Sequence, residues 1–206
     1  MYLAPPSGSA IYFVRQSYNR MAAAYDADRN NWDNQHLFEK LSALLPKNGK
    51  VLDVGCGSGV PVAQFLAKQG FLVTGIDLSE SMLEMARSNV PKGNFIQKSM
   101  TELDFPEQCF DGIVACYSII HVPRQLHRTI LESFKHILRP GGILLFSCGS
   151  SEWEGIEDFY GEQMFWSHFN SDVYIRYLKE LRFKLHFAEP ITGGGETHFW
   201  IMAEKA

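Results

Sequence analysis

The apolar positions of the chain change period several times, and each change marks an element. Between residues 9 and 28, Ile11, Val14, Tyr18, Met21, Ala22 and Tyr25 recur three or four apart, the spacing of one helix face. A polar break, RNNWDN, leads to a second helical pattern from about Gln35 to Leu45. Short apolar runs follow: KVLDVG, FLVTGID, NFIQ, FDGIVACY and ILLFSC. They are too short for helices and rich in β-branched residues, so they read as strands. Helices are expected between them. One is VPVAQFLAKQG, closed by Gly70. Another follows Ser79, whose hydroxyl can cap it while Glu80 and Glu84 favour its start. A third spans about Arg124 to Leu138 and is stopped by Pro140-Gly141-Gly142. Apolar strands alternating with helices describe a parallel sheet covered on both faces.

Past Ser150 the rhythm breaks for about 20 residues rich in aromatics and acids. A helix (Asp172 to Leu181), a strand (Phe183 to Glu189) and a last strand (Glu196 to Ala203) then follow, with Gly193-Gly194-Gly195 as the turn between the strands. The fold expected is therefore α/β with a closing antiparallel hairpin on a mostly parallel sheet. There is no internal repeat and no low-complexity linker.

With 206 residues the chain can bury one sizeable core, and a single domain is expected. Hydrophobic residues make up 46% and charged residues 20%, which is ordinary for a soluble globular protein. A net charge of -4 with scattered Lys and Arg argues against nucleic acid as a partner. The start, MYLAPPSGSAIYFVRQSYNRM, lacks a basic segment followed by an apolar core, and no run approaches the ~20 apolar residues of a membrane span. A soluble, unexported protein with no membrane partner is expected. Cys56, Cys109, Cys116 and Cys148 form no C-x-x-C pair, so no metal site and no disulfide framework is expected, which fits a reducing cytoplasm. Cys56 would lie near a helix N-terminus, where a thiol pKa can fall, although plain packing also accounts for it.

The stretch VLDVGCGSG, Val51 to Gly59, is where chemistry enters. A strand running into a glycine turn and then a helix aims backbone N–H groups at an anion. For a dinucleotide the spacing would be G-x-G-x-x-G, but here Gly55, Gly57 and Gly59 give G-x-G-x-G, with Val60 where the third glycine should stand. Asp53, two residues before the turn, would face a pyrophosphate at close quarters, which is unfavourable in a partly desolvated site. Against an α-amino group the same carboxylate is an asset, so the turn suits an amino-acid zwitterion. Asp77 ends the second strand, 18 residues after Gly59, at about the separation where an acid reaches ribose hydroxyls.

With Asp53, the glycines and Asp77 in place, the chain resembles the class I S-adenosylmethionine-dependent methyltransferases of the small-molecule, type 11-like kind. The resemblance covers about Val51 to Cys148 and includes GIDLSESMLEMAR, the segment NFIQKSMTELDFPEQCFDGIVACYSIIHVP and the LRPGG turn. It implies a Rossmann-like three-layer sandwich with a seven-stranded sheet, and S-adenosylmethionine as cofactor with S-adenosylhomocysteine as product. It divides residues 1–206 into an N-terminal helical cap (1–46), a cofactor-binding core (47–148), an aromatic lid insertion (149–170) and a closing helix with antiparallel strands (171–206). Carried over residue by residue, it puts Asp53, Gly55, Cys56, Gly57, Gly59 and Asp77 on the cofactor, Leu78 and Met82 against the adenine, and Cys116 with Tyr117 at the methionine portion. Met82 and Cys116 are equally suited to simple core packing. Where the family usually places an Asp for the adenine amino group, this chain has Ser99 followed by Met100, and a serine hydroxyl can still accept. Tyr18 and Tyr25, seven apart on one helix face, resemble aromatics that close over the cofactor; core packing would place them the same way.

Methyl transfer from a sulfonium is an in-line displacement, so the protein's main task is to align a nucleophile ~3 Å from the methyl and exclude water. A general base is needed only if the acceptor must lose a proton. His121, in SIIHVP after the fourth strand, is the candidate base, with packing of the helix start as its alternative role. His168 and His198 lie in or beside the late aromatic region. There Trp153, Phe159 and Trp166, with His168, are candidate contacts for a small-molecule acceptor. The acids of the same stretch, Glu152, Glu154, Glu157, Asp158 and Glu162, raise a cationic acceptor as a further option. Two other classes compete with the enzyme reading. One is a regulatory or accessory module that binds S-adenosylmethionine without turnover. The other, a nicotinamide-dependent oxidoreductase, is opposed by Val60 and Asp53. Neither the acceptor atom nor the oligomeric state is encoded in any motif.

Overall fold

A computed structural model describes residues 7–28, 34–193 and 195–206. In chain order the elements are α1 (Ser7–Asp28), α2 (Gln35–Leu44), β1 (Lys50–Val54), α3 (Val62–Lys68), β2 (Leu72–Asp77), α4 (Glu80–Asn89), β3 (Asn94–Gln97) and β4 (Phe110–Ala115). They continue with α5 (His127–Ile137), β5 (Leu138–Cys148), β6 (Trp153–Phe159), β7 (Glu162–His168), α6 (Ser171–Glu180), β8 (Phe183–Gly193) and β9 (Glu196–Lys205). The polar break at 29–34 falls almost wholly outside the described residues, as does Gly194 of the last turn.

Seven strands form one sheet in the order β3-β2-β1-β4-β5-β9-β8. The first five are parallel, and β9 pairs antiparallel with both β5 and β8. The expected architecture is thus present. Its layers follow from the period of two along each strand. Leu52 and Val54 of β1, Ile113 and Ala115 of β4, Leu144 and Phe146 of β5, and Ile201 and Ala203 of β9 face α5 and α6 through Ile130, Phe134, Tyr174 and Leu178. Their neighbours Val51, Val114, Leu145 and Trp200 face α2, α3 and α4 through Leu37, Leu41, Leu66 and Leu83. Both faces are dry, which is why these strands read as unbroken apolar runs. Helix α1 lies outside this sandwich, where Ala10, Val14, Met21 and Tyr25 pack against Met82 of α4 and Met164 and Phe165 of β7.

Two stretches are defined more closely than the sequence allowed. The helical segment expected from about Arg124 to Leu138 is present but divided. A short 3₁₀ turn covers Arg124–Leu126, α5 begins at His127 and ends at Ile137, and Pro140-Gly141-Gly142 lies in an extended bulge at the start of β5. Proline forces this by lacking an N–H, and Gly141 takes φ +74° in the bulge. The aromatic stretch after Ser150, where the strand–helix rhythm breaks, forms a two-stranded antiparallel hairpin, β6 paired with β7 from Trp153↔His168 to Phe159↔Glu162. Its turn, Tyr160-Gly161, has positive φ at both residues. That is the twist a tight hairpin needs, and an acidic, aromatic composition conceals it.

Chain order explains where a ligand can bind. From β1 the chain runs outward to β2 and β3 on one side, and then crosses to β4 and β5 on the other. The crevice at the carboxyl ends of β1 and β4 is therefore the switch point where open α/β sheets take ligands.

Candidate active site

At that crevice a cavity is bounded by the glycine turn, the ends of β2 and β4, the segment after β3, and α1. The turn is shaped by backbone bonds. The N–H groups of Gly55 and Cys56 both donate to the Ile76 carbonyl, at 2.8 and 2.9 Å, tying the end of β1 to β2. Gly55, Gly57 and Gly59 take φ of +71°, +52° and +79°, where a side chain is strained. A Cβ on Gly55 would stand 2.4 Å from the Ser118 Cβ, so the absence of a side chain there lets the β4 segment approach.

Asp77 closes the turn from the other side. Its carboxylate accepts from the Gly57 N–H and the Ser79 N–H, each at 2.9 Å. Desolvation raises its pKa, and these backbone donors work against that rise. The chain after β4 is bent by Tyr117, a non-glycine residue at φ +52°. Its N–H donates to the buried Ser147 hydroxyl at 2.7 Å and its phenol oxygen accepts from Asn34 at 2.5 Å.

Helix α1 is clasped over the cavity by several contacts. Arg15 and Asn19 both reach the Glu80 carboxylate, Ser79 donates to Asn19 at 2.6 Å, and Ser17 donates to the Gln163 carbonyl at 2.7 Å. The Arg15 guanidinium holds the Glu80 carboxyl down at about 2. Through this clasp α1 delivers Tyr18 to His121: the Tyr18 hydroxyl lies 2.9 Å from His121 Nε2, and His121 Nδ1 lies 3.0 Å from the Phe165 carbonyl. A carbonyl only accepts, so Nδ1 carries the proton and Nε2 receives the tyrosine hydroxyl. Burial pushes the His121 pKa down to about 4, and the imidazole is neutral near pH 7.

Of the residues singled out from sequence, Tyr18, Tyr25, Gly55, Cys56, Gly57, Asp77, Leu78, Ser99, Met100, Cys116, Tyr117 and His121 all line this cavity. Asp53, Gly59 and Met82 do not. Asp53 is 1% exposed within β1, Gly59 is turned toward Val90 and Ala86, and Met82 is 1% exposed beneath α1 as a core residue. Ser99 Oγ is engaged locally with Thr101, at 2.7 Å to its hydroxyl. Burial raises the Cys56 pKa well above the ordinary thiol value, which corrects the option of an activated thiol.

Beyond a wall made of Tyr18, Tyr25, Tyr117 and His121 lies a second, much smaller cavity, which adds Phe159, Trp166, Glu196 and His198. His168 lies further out, its Nδ1 2.6 Å from the Ser151 carbonyl. Trp153 is 46% exposed and lines neither cavity, because it opens the hairpin on its outer side. Three of the five acids named in this stretch are also paired: Glu152 and Glu154 with Arg124, and Glu162 with Arg20. Sequence reasoning missed Arg15, Lys98 and Ser118 in the first cavity and Glu196 in the second. The one available signal was the period of two in β9, which puts Glu196, His198 and Trp200 on one face.

Residues 51–142 match the family model described as a methyltransferase domain. Over these residues the chain resembles the class I S-adenosylmethionine-dependent methyltransferases. YqeM of Bacillus subtilis (strain 168), itself named a methyltransferase only provisionally, is 35% identical over 140 residues, 65% of this chain and 56% of that protein. A ubiquinone biosynthesis O-methyltransferase of Actinobacillus pleuropneumoniae is 34% identical over 152 residues, 63% of this chain and 61% of that protein. The chain spans about half the length of the curated relatives it matches. Among solved structures, the 1,6-didemethyltoxoflavin-N1-methyltransferase of Burkholderia thailandensis, with its substrate and S-adenosylhomocysteine bound, superposes with TM-score 0.72. It is 21% identical, over 100% of this chain and 93% of that one. The [4+2]-cyclase SpnF superposes with TM-score 0.74 at 16% identity, over 100% of this chain and 98% of that one. At these identities the structures speak for the fold.

The group that this resemblance implies is S-adenosylmethionine. The residues on the cavity wall fit such a group. The bare backbone at Gly57, where a Cβ would meet nothing within 4 Å, leaves room on the cavity wall, and Asp77 offers a carboxylate on the same wall. Ser118 on the wall has a buried hydroxyl oxygen with no hydrogen-bond partner among the described residues. No cluster of three potential metal ligands occurs among the described residues, and no helix there is long and apolar enough to cross a membrane.

Proposed function

We propose that this protein transfers a methyl group from S-adenosylmethionine to a small-molecule acceptor, acting as one catalytic unit in the cytoplasm. One observation carries the reading: the two cavities meet at a shared wall of Tyr18, Tyr25, Tyr117 and His121. A donor in the first and an acceptor in the second would face each other there. The relatives named for small acceptors support it, and the absence of disulfides among the four cysteines suits a reducing compartment.

When bound, S-adenosylmethionine supplies an electrophilic methyl whose leaving group is neutral. Gly55 and Gly57 hold the amino-acid portion, Asp77 accepts from the ribose hydroxyls, Leu78, Ser99 and Met100 border the adenine, and Cys116 with Tyr117 bound the methionine end. Phe159, Trp166 and the two tyrosines of α1 exclude water from the junction, which favours a charge-dispersing displacement. Where the acceptor must lose a proton, the Tyr18 oxygen receives it while Tyr18 gives its own to His121 Nε2. The Nδ1-protonated tautomer leaves Nε2 open for that proton, which it holds only transiently because burial disfavours the charged ring.

The test is thermal unfolding with S-adenosylmethionine and S-adenosylhomocysteine, followed by transfer of a labelled methyl to a panel of acceptors. Ligand at 100 times its dissociation constant adds about 2.7 kcal/mol. No shift at millimolar ligand removes the reading. In an active assay, His121→Asn lowers turnover by about 10² or more and leaves cofactor affinity near wild type. A second reading, binding without methyl transfer, has the SpnF superposition in its favour, since one fold serves different chemistries. Stabilisation by the cofactor with no labelled product from any acceptor selects it.

A further inference from the structure

The glycine turn has fewer free donors than its sequence suggests. Gly55 and Cys56 spend their N–H groups on the Ile76 carbonyl, Gly57 donates to Asp77, and Gly59 donates to the Cys56 carbonyl at 2.9 Å. The N–H groups of these residues therefore hold the turn in shape. An amino-acid ligand brings a carboxylate, and a carboxylate enclosed in a cavity needs donors from the protein. Several side-chain donors on the cavity wall are committed as well: Arg15 reaches Glu80, Lys98 reaches Asp104, Ser79 donates to Asn19, and Tyr18 faces His121.

Ser118 differs from these. It lines the cavity, it is 7% exposed, and its hydroxyl oxygen is buried with no hydrogen-bond partner among the described residues. The backbone is fixed on both sides of it: the Tyr117 N–H donates to Ser147, and the Ser118 carbonyl accepts from the His121 N–H at 3.1 Å. What remains free is one torsion, which turns the hydroxyl among three staggered positions. A buried hydroxyl without a partner is unfavourable, and since no described residue bonds this one, the partner it can gain is a group in the cavity.

Position says which end of a ligand the hydroxyl meets. Asp77 touches the turn at Gly57, whereas Ser118 touches it at Gly55, where a Cβ would stand 3.1 Å from the Ser118 Oγ. On the function proposed above, Asp77 serves the ribose and the turn holds the amino-acid portion. A carboxylate only accepts, so it is the group that a free O–H completes. Resting on that function, we infer that Ser118 is a further cofactor-binding residue, whose hydroxyl donates to the α-carboxylate of S-adenosylmethionine in place of the committed N–H groups. The missing side chain at Gly55 is what lets this hydroxyl stand beside the turn.

Isothermal titration of the wild type and Ser118→Ala tests this with S-adenosylhomocysteine, its decarboxylated analogue 5′-(3-aminopropylthio)-5′-deoxyadenosine, and 5′-methylthioadenosine, which lacks the amino-acid portion. Ser118→Ala should weaken S-adenosylhomocysteine about tenfold or more, the scale of a hydrogen bond to a charged group, and leave the two shorter probes within about twofold of the wild type. Thermal unfolding without ligand separates binding from structure. Removing an unbonded buried hydroxyl should raise Tm or leave it within about 2 °C of the wild type; a larger fall means that the hydroxyl is bonded within the fold, and overturns the inference. Ser118→Cys, similar in shape but a weak donor, repeats the comparison if Ser118→Ala does not fold by circular dichroism. The inference is also overturned by unchanged S-adenosylhomocysteine affinity in the variant, or by an equal loss for the decarboxylated analogue, which would assign the hydroxyl to the ammonium. Failure of S-adenosylhomocysteine to bind the wild type is a different result: it removes the proposed function, and this inference with it.

Discussion

Gly55 and Gly57 stand two residues apart in the same turn, both at positive φ, yet substitution to alanine should cost different amounts. At Gly57 a Cβ would meet nothing within 4 Å, so Gly57→Ala carries only backbone strain, about 1–2 kcal/mol for an L-residue in the left-handed region. At Gly55 the same strain is joined by a Cβ 2.4 Å from the Ser118 Cβ and 3.1 Å from its Oγ. Ser118 cannot retreat, because the neighbouring Tyr117 is fixed through Ser147 and Asn34. Overpacking of this kind adds about 1–3 kcal/mol, which brings Gly55→Ala to about 2–5 kcal/mol. The excess belongs to one contact, so it should appear as coupling. In a double-mutant cycle, Ser118→Gly should recover about 1–3 kcal/mol when combined with Gly55→Ala and show no such recovery with Gly57→Ala. Urea unfolding followed by circular dichroism gives all the required differences at constant slope. Equal losses for the two alanine variants, or additivity of Gly55→Ala with Ser118→Gly, would refute the claim that Gly55 exists to admit the β4 segment.

Two further outcomes follow from the same contacts. Burial holds His121 and His127 down at about 4, below the ordinary histidine value, so unfolding takes up protons. Their contribution is complete above about pH 6.5 and is lost as the pH falls from there toward 4, at up to about 1.4 kcal/mol per pH unit for each; urea midpoints at stepped pH check this, and a midpoint that rises on acidification over that window contradicts it. Asp77→Ala should lower S-adenosylhomocysteine affinity, and it should also cost about 1–3 kcal/mol of stability because the N–H groups of Gly57 and Ser79 lose their acceptor. Calorimetry and unfolding read the two effects separately, and a variant unchanged in both would make Asp77 a surface residue.

Periodicity was enough to identify most elements of the sandwich, because a buried parallel strand must be apolar on both faces and a helix on one. The glycine spacing, Asp77, and the order of the blocks from Val51 to Cys148 singled out the binding turn. Local sequence carries these features because they depend on backbone conformation and on neighbours a few residues away. The β6–β7 hairpin was hidden because its strands carry acids and aromatics on both sides, with arginines from elsewhere, Arg20 and Arg124, meeting the charge. Nothing in the spacing separated Asp53, enclosed in β1, from Asp77 on the cavity wall, since burial is set by what packs above a strand. The pairing of Tyr18 with His121 joins residues 103 apart and depends on α1 being clasped to Glu80 and Gln163. Likewise Glu196 and His198 reach the aromatic cavity only because β9 runs antiparallel beside β5. A single chain read in order holds no record of which distant side chains will share a wall; that is decided when the sheet order and the helix layers bring their ends together.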